Sequence, residues 1–454
     1  MKLSLTLMAI LFTFIATTRA QVAPATTGHT GLPTGPNGLP VSGTLRYNLR
    51  YSQTAQFYGG AGGDVQMSIV SGDASYANIS KRLPFSMQYG GGYGWTLSGP
   101  PSAGNVFQHL SVSQGVGWHK SNFMVSDNVS YSFETPTTGF SGVPGTGGTI
   151  TGSGTTTTPD QTILALNTRS LDNTTTIGFG QTLNHATTLN LGGSWGEMLF
   201  IDNNGQNTEM LMANAGLTRR LDARDSASGQ YSFSQFNYSS TGYTTQTSTA
   251  QFGVTRQWNP KLTTTASVGP AWITNSGIPI TGSTALPNIT TVFFSASVNY
   301  QMLHGASSLS YSHGNNGGAG YFLGAKVDSV NANFSRAYGK NLTIGVTGSY
   351  MRTASLLAAE FEYACTTNDG TTTCLVPLNI TPVTDAIFGG VQATRKMGRY
   401  LNVFANYTAV EQSSNTQISV PNTPLNSNAS ILSGINQVIS FGIGYSPREK
   451  RLKK

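Results

Sequence analysis

The sequence predicts an all-β fold: a transmembrane, antiparallel, up-and-down β-barrel of about eighteen strands, with sixteen as the alternative count. Three observations predict it. Apolar and polar residues alternate with period two over most of the chain, charged and aliphatic residues are both scarce, and the connections between strands alternate between short and long.

The first residues bear on the compartment. Met1-Lys2 gives a positive start, Leu3 to Ile15 is mostly apolar, and Thr18-Arg19-Ala20 places small residues before Gln21. That pattern reads as a secretory signal over residues 1–20. The apolar run falls short of the roughly 20 residues that a spanning helix needs. Residues 21–41 are Pro/Gly-rich and read as a periplasmic N-terminal segment, too short for a folded plug. The barrel is expected over 42–446 and a basic tail over 447–454.

Composition separates this chain from a soluble multidomain protein. Charged residues are 9% of it, against about 25% in a typical globular protein. The hydrophobic share is 38%, below the usual 45–50% or so, and Gly, Ser, Thr, Asn and Gln make up the difference. Such a balance suits a wall with two uncharged faces, one toward lipid and one toward water. The net charge of +7 is local, because Pro447 to Lys454 carries five basic residues and one acid. The pI near 9.3 therefore gives no support to nucleic-acid binding.

Alternation is plain from the first strand. Leu45, Tyr47, Leu49 and Tyr51 fall on one face, with Arg46, Asn48, Arg50 and Ser52 opposite. The stretch Phe85, Met87, Tyr89, Gly91, Tyr93, Trp95, Leu97 repeats it, as do Val292 to Tyr300, Leu342 to Tyr350 and Leu401 to Ala409. This is the signature of strands with unlike faces. Eighteen such stretches run from 43–57 to 433–446, among them 162–183, 305–313 and 321–338. The short connections include Asn184-His-Ala186, Leu221-Asp-Ala223, Asn259-Pro260 and Gly339-Lys340; the long ones include 136–161, 354–381 and 413–432. Short periplasmic turns and long extracellular loops belong to outer-membrane barrels, and an even strand number leaves both termini in the periplasm.

Aromatic placement fits two interfacial belts. Trp118, Trp258, Tyr300, Tyr338 and Tyr445 lie toward the short-turn end; Trp95, Trp195, Tyr238, Trp272 and Tyr350 lie toward the long loops. Three acids resist the pattern. Asp127 shares the apolar face of Phe123 to Tyr131, where a carboxylate is costly; a bulge or a neighbouring protomer is expected to relieve it. The alternation also slips near Asp328, and Glu197 is ambiguous.

An eighteen-stranded wall encloses an aqueous lumen rather than a packed core. Arg46 and Arg50 are the clearest charged lumen candidates, read either as a cationic strip for anionic or sugar-like solutes or as partners of acids on neighbouring strands. The loop Thr135–Gln161, with Gly145, Gly148 and Asp160, is a constriction candidate or a surface loop. Cys365 and Cys374 flank eight residues of another long loop, and an oxidising compartment favours a disulfide between them. The six histidines adjoin no metal-ligand spacing or catalytic pattern, so no cofactor, metal or enzymatic role is expected.

The closing stretch Val438-Ile-Ser-Phe-Gly-Ile-Gly-Tyr445 resembles the C-terminal assembly signal of outer-membrane β-barrels, although Pro447 to Lys454 follow it. The whole mature region resembles that superfamily and, more loosely, its porins. The resemblance implies residence in the outer membrane of a Gram-negative bacterium, contact with lipid and with the barrel-assembly machinery, passage of small hydrophilic solutes, and possible homo-oligomers. The charged eyelet of porins does not carry over, since Asp160 is the only acid of the third long loop. The alternatives are a non-channel structural or surface-interaction barrel, an envelope or exopolysaccharide assembly component and, less favoured, an outer-membrane enzyme.

Overall fold

The computed structural model describes residues 44–58, 64–78, 82–99, 105–134, 168–201, 207–239, 242–277, 288–316, 324–356, 359–367, 370–380, 383–414, 434–446 and 450–451. Among the described residues there are strands and turns and no helix. The first nine strands are β1 (Thr44–Tyr58), β2 (Val65–Asn78), β3 (Phe85–Ser98), β4 (Asn105–Gly117), β5 (Ser121–Glu134), β6 (Thr168–Thr182), β7 (Thr187–Phe200), β8 (Thr208–Arg220) and β9 (Asp225–Tyr238). Then come β10 (Tyr243–Asn259), β11 (Leu262–Ser276), β12 (Ile289–Met302), β13 (Gly305–Asn316), β14 (Ala325–Tyr338) and β15 (Leu342–Ser355). The last are β16 (Ala359–Thr367), β17 (Gly370–Ile380), β18 (Val383–Met397), β19 (Leu401–Ser414), β20 (Gly434–Tyr445) and β21 (Lys450–Arg451).

Strands β1 to β15 pair in succession; β15 then pairs with β18, β18 with β19 and β19 with β20, all antiparallel. Strand β20 returns to β1, from Leu49 opposite Tyr445 to Tyr58 opposite Asn436. Eighteen strands thus close into one up-and-down barrel, as the alternation predicts. Predicted bounds agree within two residues except at the starts of β6 and β14 and the end of β13.

Two elements lie outside the predicted set. Strands β16 and β17 form a hairpin within the long connection 356–382, paired with each other and separate from the barrel sheet. Strand β21 lies in the basic tail and pairs Lys450 with Leu45 and Arg451 with Thr44, so the tail runs along β1. Residues 1–20, expected as a secretory signal, and the expected N-terminal segment 21–41 lie outside the described residues.

The short turns are built by side chains that stand in for missing ladder bonds. Asp222 Oδ1 accepts from the backbone N–H of Arg224 (2.6 Å) and Asp225 (2.7 Å). Asn259 Oδ1 accepts likewise from Lys261 (2.8 Å) and Leu262 (2.9 Å), and Asn184 Oδ1 from Ala186 (2.9 Å). These Asx turns reverse the chain in a few residues. The two N–H donors hold the Asp222 carboxyl below its ordinary range. Two other turns use backbone freedom: Gly339 (φ 63) and Gly398 (φ 76) adopt the left-handed conformation, with nothing near a Cβ position.

Residues opposed across a ladder share a face, so exposure on one strand fixes the outer surface of the next. Leu45, Tyr47, Leu49 and Tyr51 are exposed on β1, as are Ile439, Phe441, Ile443 and Tyr445 on β20. The apolar face therefore points away from the barrel axis all round. In water such a surface would be a large uncovered hydrophobic patch; against hydrocarbon it is the expected face of a membrane barrel, with every ladder bond satisfied internally. The chain is an outer-membrane-type barrel on this geometry, with both ends of the sheet on the short-turn, periplasmic side.

Trp95, Trp118, Trp258, Trp272, Tyr338, Tyr350 and Tyr445 are all exposed on this outer surface or its rim. At the periplasmic edge the Arg256 guanidinium stacks 4.5 Å from the Trp258 ring centroid and that of Arg336 lies 5.3 Å from the Tyr338 ring. Tyr238 departs from the predicted belt. On β9 the outward residues are Tyr231 and its odd-numbered companions, so Tyr238 faces inward and is buried at 1% exposure.

The acids that broke the alternation also resolve. No bulge lies near Asp127: the β4–β5 and β5–β6 registers run unbroken past it. Asp127 faces outward, and its Oδ1 accepts a hydrogen bond from Thr175 Oγ1 at 2.9 Å. The expected slip at Asp328 is absent too. Asp328 stands on the outer surface opposite His313, and its Oδ1 lies 2.7 Å from His313 Nδ1 and 2.8 Å from the Tyr311 hydroxyl that donates to it. Glu197 faces outward opposite Glu209, which accepts from Trp195 Nε1 at 2.7 Å.

Replacing Gly339 with Ala, which puts a Cβ on a left-handed residue, should destabilise the barrel by about 1 kcal/mol, measured as a lowered urea midpoint for refolding into lipid bilayers. Asp127→Val should do the reverse. Removing a mid-strand carboxylate from the lipid face should stabilise by roughly 1–2 kcal/mol in the same assay.

Candidate functional site in the barrel lumen

The inward face is polar but nearly free of charge, and its accessibility changes along the axis. On β9 Gln230 is exposed, Ser232 and Ser234 are half-buried, and Phe236 and Tyr238 are buried. Strand β8 runs the same way, from exposed Arg220 and Asn214 to buried Met210 and Thr208. So does β19, from half-buried Asn402 and Asn406 to buried Thr408, Val410 and Gln412. The lumen is therefore a wet vestibule at its periplasmic end and closely covered in its extracellular half.

Apolar residues concentrate in that covered half. Met210, Phe236, Tyr238 and Tyr243 form one cluster, with the two tyrosine rings 5.8 Å apart. Val65, Met67, Ile69 and Phe107 form another across β2 and β4. Glycine makes room for the second. A Cβ at Gly92 would stand 2.4 Å from the Phe107 ring and 2.6 Å from the Val70 carbonyl oxygen, so the bare backbone of β3 is the floor on which the ring lies. Neither cluster stands out in the sequence. Phe236 and Tyr238 read as a strand end, and the adjacent apolar pair Ile69-Val70 hides which of the two points inward.

Of the predicted charged pair, Arg50 faces inward with its Nη2 3.9 Å from Asp73 Oδ1 on β2. Asn48 Nδ2 donates to the other Asp73 oxygen at 2.8 Å. Arg50 is thus matched to an acid on its neighbouring strand, the less specific of the two readings. The Arg46 side chain lies outside the described residues, as do Gly145, Gly148 and Asp160 of the constriction candidate. In the β16–β17 hairpin Cys365 is opposite Thr372 and Cys374 opposite Tyr363, two register positions apart; their side chains lie outside the described residues.

Charge is unevenly distributed around the circumference. The inward charged and titratable side chains described on β1 to β8 are Arg50, Asp73, His109, Asp172 and Arg220. From β9 round to β20 the described inward wall is Ser, Thr, Asn, Gln, Gly and apolar residues, with Lys396 at the periplasmic mouth the one charged exception. Within that neutral sector hydroxyls often pair across the ladder. Ser267 and Ser295 are 2.7 Å apart, Ser312 and Ser329 2.7 Å, and Thr255 and Thr265 3.2 Å. Among the described residues no group of three or more metal-ligating side chains comes together.

No protein-family model matches the chain, and no curated protein matches it. Solved structures do match in architecture. The chain is similar to OccK2 (OpdF) of Pseudomonas aeruginosa at 10% identity and TM-score 0.42, with 88% of this chain and 98% of that one covered. It is similar to Acinetobacter baumannii OccAB4 at 9% identity and TM-score 0.43, covering 90% and 99%. The FrpB iron transporter of Neisseria meningitidis matches at 8% identity and TM-score 0.39, covering 90% and 82%. All three superpose loosely, and the inward residues of this chain are therefore read on their own terms.

Gly92→Ala should lower the yield of folded, heat-modifiable barrel, with a cost of about 1–3 kcal/mol for overpacking. Adding Phe107→Ala should restore only part of it, because the Val70 carbonyl still meets the new methyl group.

Proposed function

We propose that the protein is a passive channel of the outer membrane for small hydrophilic solutes. The closed eighteen-strand barrel with an apolar outer face and a polar, nearly uncharged inner face supports this reading best. A wall of that many strands encloses more space than its own small Ser, Thr and Gly side chains fill. No bond is made or broken; passage is set by width, by the hydrogen-bonding groups on the wall and by its few charges. The solved barrels that match in architecture include OccK2 in complex with glucuronate and the FrpB iron transporter, and proteins of that shape suit a channel here.

In this reading the periplasmic vestibule is wide and the covered extracellular half sets the rate. The aromatic residues on the outer surface would hold the barrel at the two membrane interfaces, and a Cys365–Cys374 bridge would tie the β16–β17 hairpin locally. The assembly machinery and any homo-oligomeric contact act on the same outer surface and closing strand.

A second reading, a structural or envelope-assembly barrel without through-flow, draws on one observation: inward residues of the extracellular half such as Thr353, Ser170 and Ala325 are at 0% exposure. Conductance separates the two. The purified protein in a planar bilayer should give discrete current steps with weak ion selectivity. Deleting 136–161 or 357–381 should raise the step size if those segments set the limiting width. Absence of steps in the intact protein, with steps appearing only on deletion, favours the non-channel barrel.

A further inference from the structure

We propose that the neutral sector of the lumen, with the adjoining strand β1, carries a binding track for uncharged polyhydroxylated solutes, sugars and polyols, built on β14, β15, β18, β20 and β1. The proposal rests on the channel reading above and names its substrate class.

The track is marked by three pairs of opposed inward residues. Asn331 on β14 stands opposite Ser349 on β15, Thr353 on β15 opposite Thr384 on β18, and Ser440 on β20 opposite Thr54 on β1. All six are at least nine-tenths buried. In each of them a side-chain oxygen is buried without a hydrogen-bond partner. Other inward oxygens of the neutral wall, such as those of Thr247 on β10 and Thr408 on β19, are buried without a partner as well, while some opposed hydroxyls such as Ser312 and Ser329 bond to each other at 2.7 Å. A buried oxygen left unpaired costs roughly 1–3 kcal/mol, so each of these opposed pairs puts two unmet hydrogen-bonding groups side by side. They lie in the closely covered half of the lumen, where a solute sheds its own water.

The chemistry of the missing partner follows from the wall. Hydroxyls both donate and accept, and the Asn331 carbonyl accepts, so the complementary solute presents several groups that also do both. It carries no charge, because the described inward wall of β14, β15, β18 and β20 has Lys396 at the periplasmic mouth as its one ion, and on β1 Arg50 is already matched to Asp73. Buried without a counter-charge, an ionised solute would lose its hydration and gain little. Phe388, opposite Ser349 and buried, sets an apolar ring among the hydroxyls, and an aromatic face suits the C–H face of a sugar ring.

The test is uptake into proteoliposomes of glucose, gluconate and protonated glucosamine, which share a size and differ in charge, with ion conductance measured on the same preparation. Glucose entry should saturate and run at least about fivefold faster than either ion at equal concentration. Thr353→Val, Thr384→Val and Thr54→Val replace each hydroxyl with a methyl group of the same volume. Together they should cut glucose entry several-fold and abolish saturation while ion conductance stays near that of the native protein, and the corresponding Ser replacements should restore it. Equal, unsaturable entry of the three solutes through a conducting native protein would overturn the track and leave the channel standing, as would unchanged glucose entry in the triple Val variant. No conductance and no uptake would overturn both.

Discussion

Backbone hydrogen bonding without water is the constraint from which the rest of the molecule follows. Within hydrocarbon an unpaired N–H or C=O costs several kcal/mol, so a sheet must leave no open edge. The chain meets this by returning β20 to β1 over ten opposed pairs, Leu49–Tyr445 to Tyr58–Asn436. Once the cylinder closes, each strand has two neighbours and two faces, and the period-two alternation is the sequence's accommodation to those faces. The turns follow as well. With no slack at the periplasmic end, reversals fall to Asp222, Asn259 and Asn184 side chains or to left-handed Gly339 and Gly398.

That logic explains how much was legible. Strand number and bounds could be read because outward residues must be apolar and inward ones need not be, a contrast that Leu45 to Ser52 displays residue by residue. The contrast fades where both faces meet similar surroundings. Tyr238 looks like a belt residue because an aromatic at a strand end suits an interface; only parity counted from Tyr231 turns it inward. The β16–β17 hairpin stands apart from the barrel sheet, and its Thr-rich run carries no sustained period-two contrast, so it reads as loop. Asp328 looked like a slip in register, yet it is an acid on the outer surface with Tyr311 and His313 for partners. Its neighbours lie distant in sequence, and alternation along one strand cannot show them.

The lumen was legible only in its average. Composition made it polar and weakly charged, but not the sorting of that charge onto β1 to β8, nor the inward clusters around Phe107 and Tyr243. Those depend on which strands stand beside one another and at what offset. Arg50 illustrates the point: its partner Asp73 comes from the next strand through the β1–β2 register. Unpaired oxygens are further removed, since Ser, Thr and Asn look alike in sequence whether or not a neighbour meets them.

The long neutral arc of the wall bears on the medium outside the cell. Fixed charges in a pore gather counterions, and their reach shrinks from about 30 Å in 0.01 M salt to about 8 Å at 0.15 M, so a charged channel conducts differently in fresh and saline water. An arc of hydroxyls and amides has no ion atmosphere to lose. Any response of this lumen to drying or dilution would therefore fall on the side that carries Arg50, Asp73 and Arg220, with the opposite arc indifferent to the salt outside.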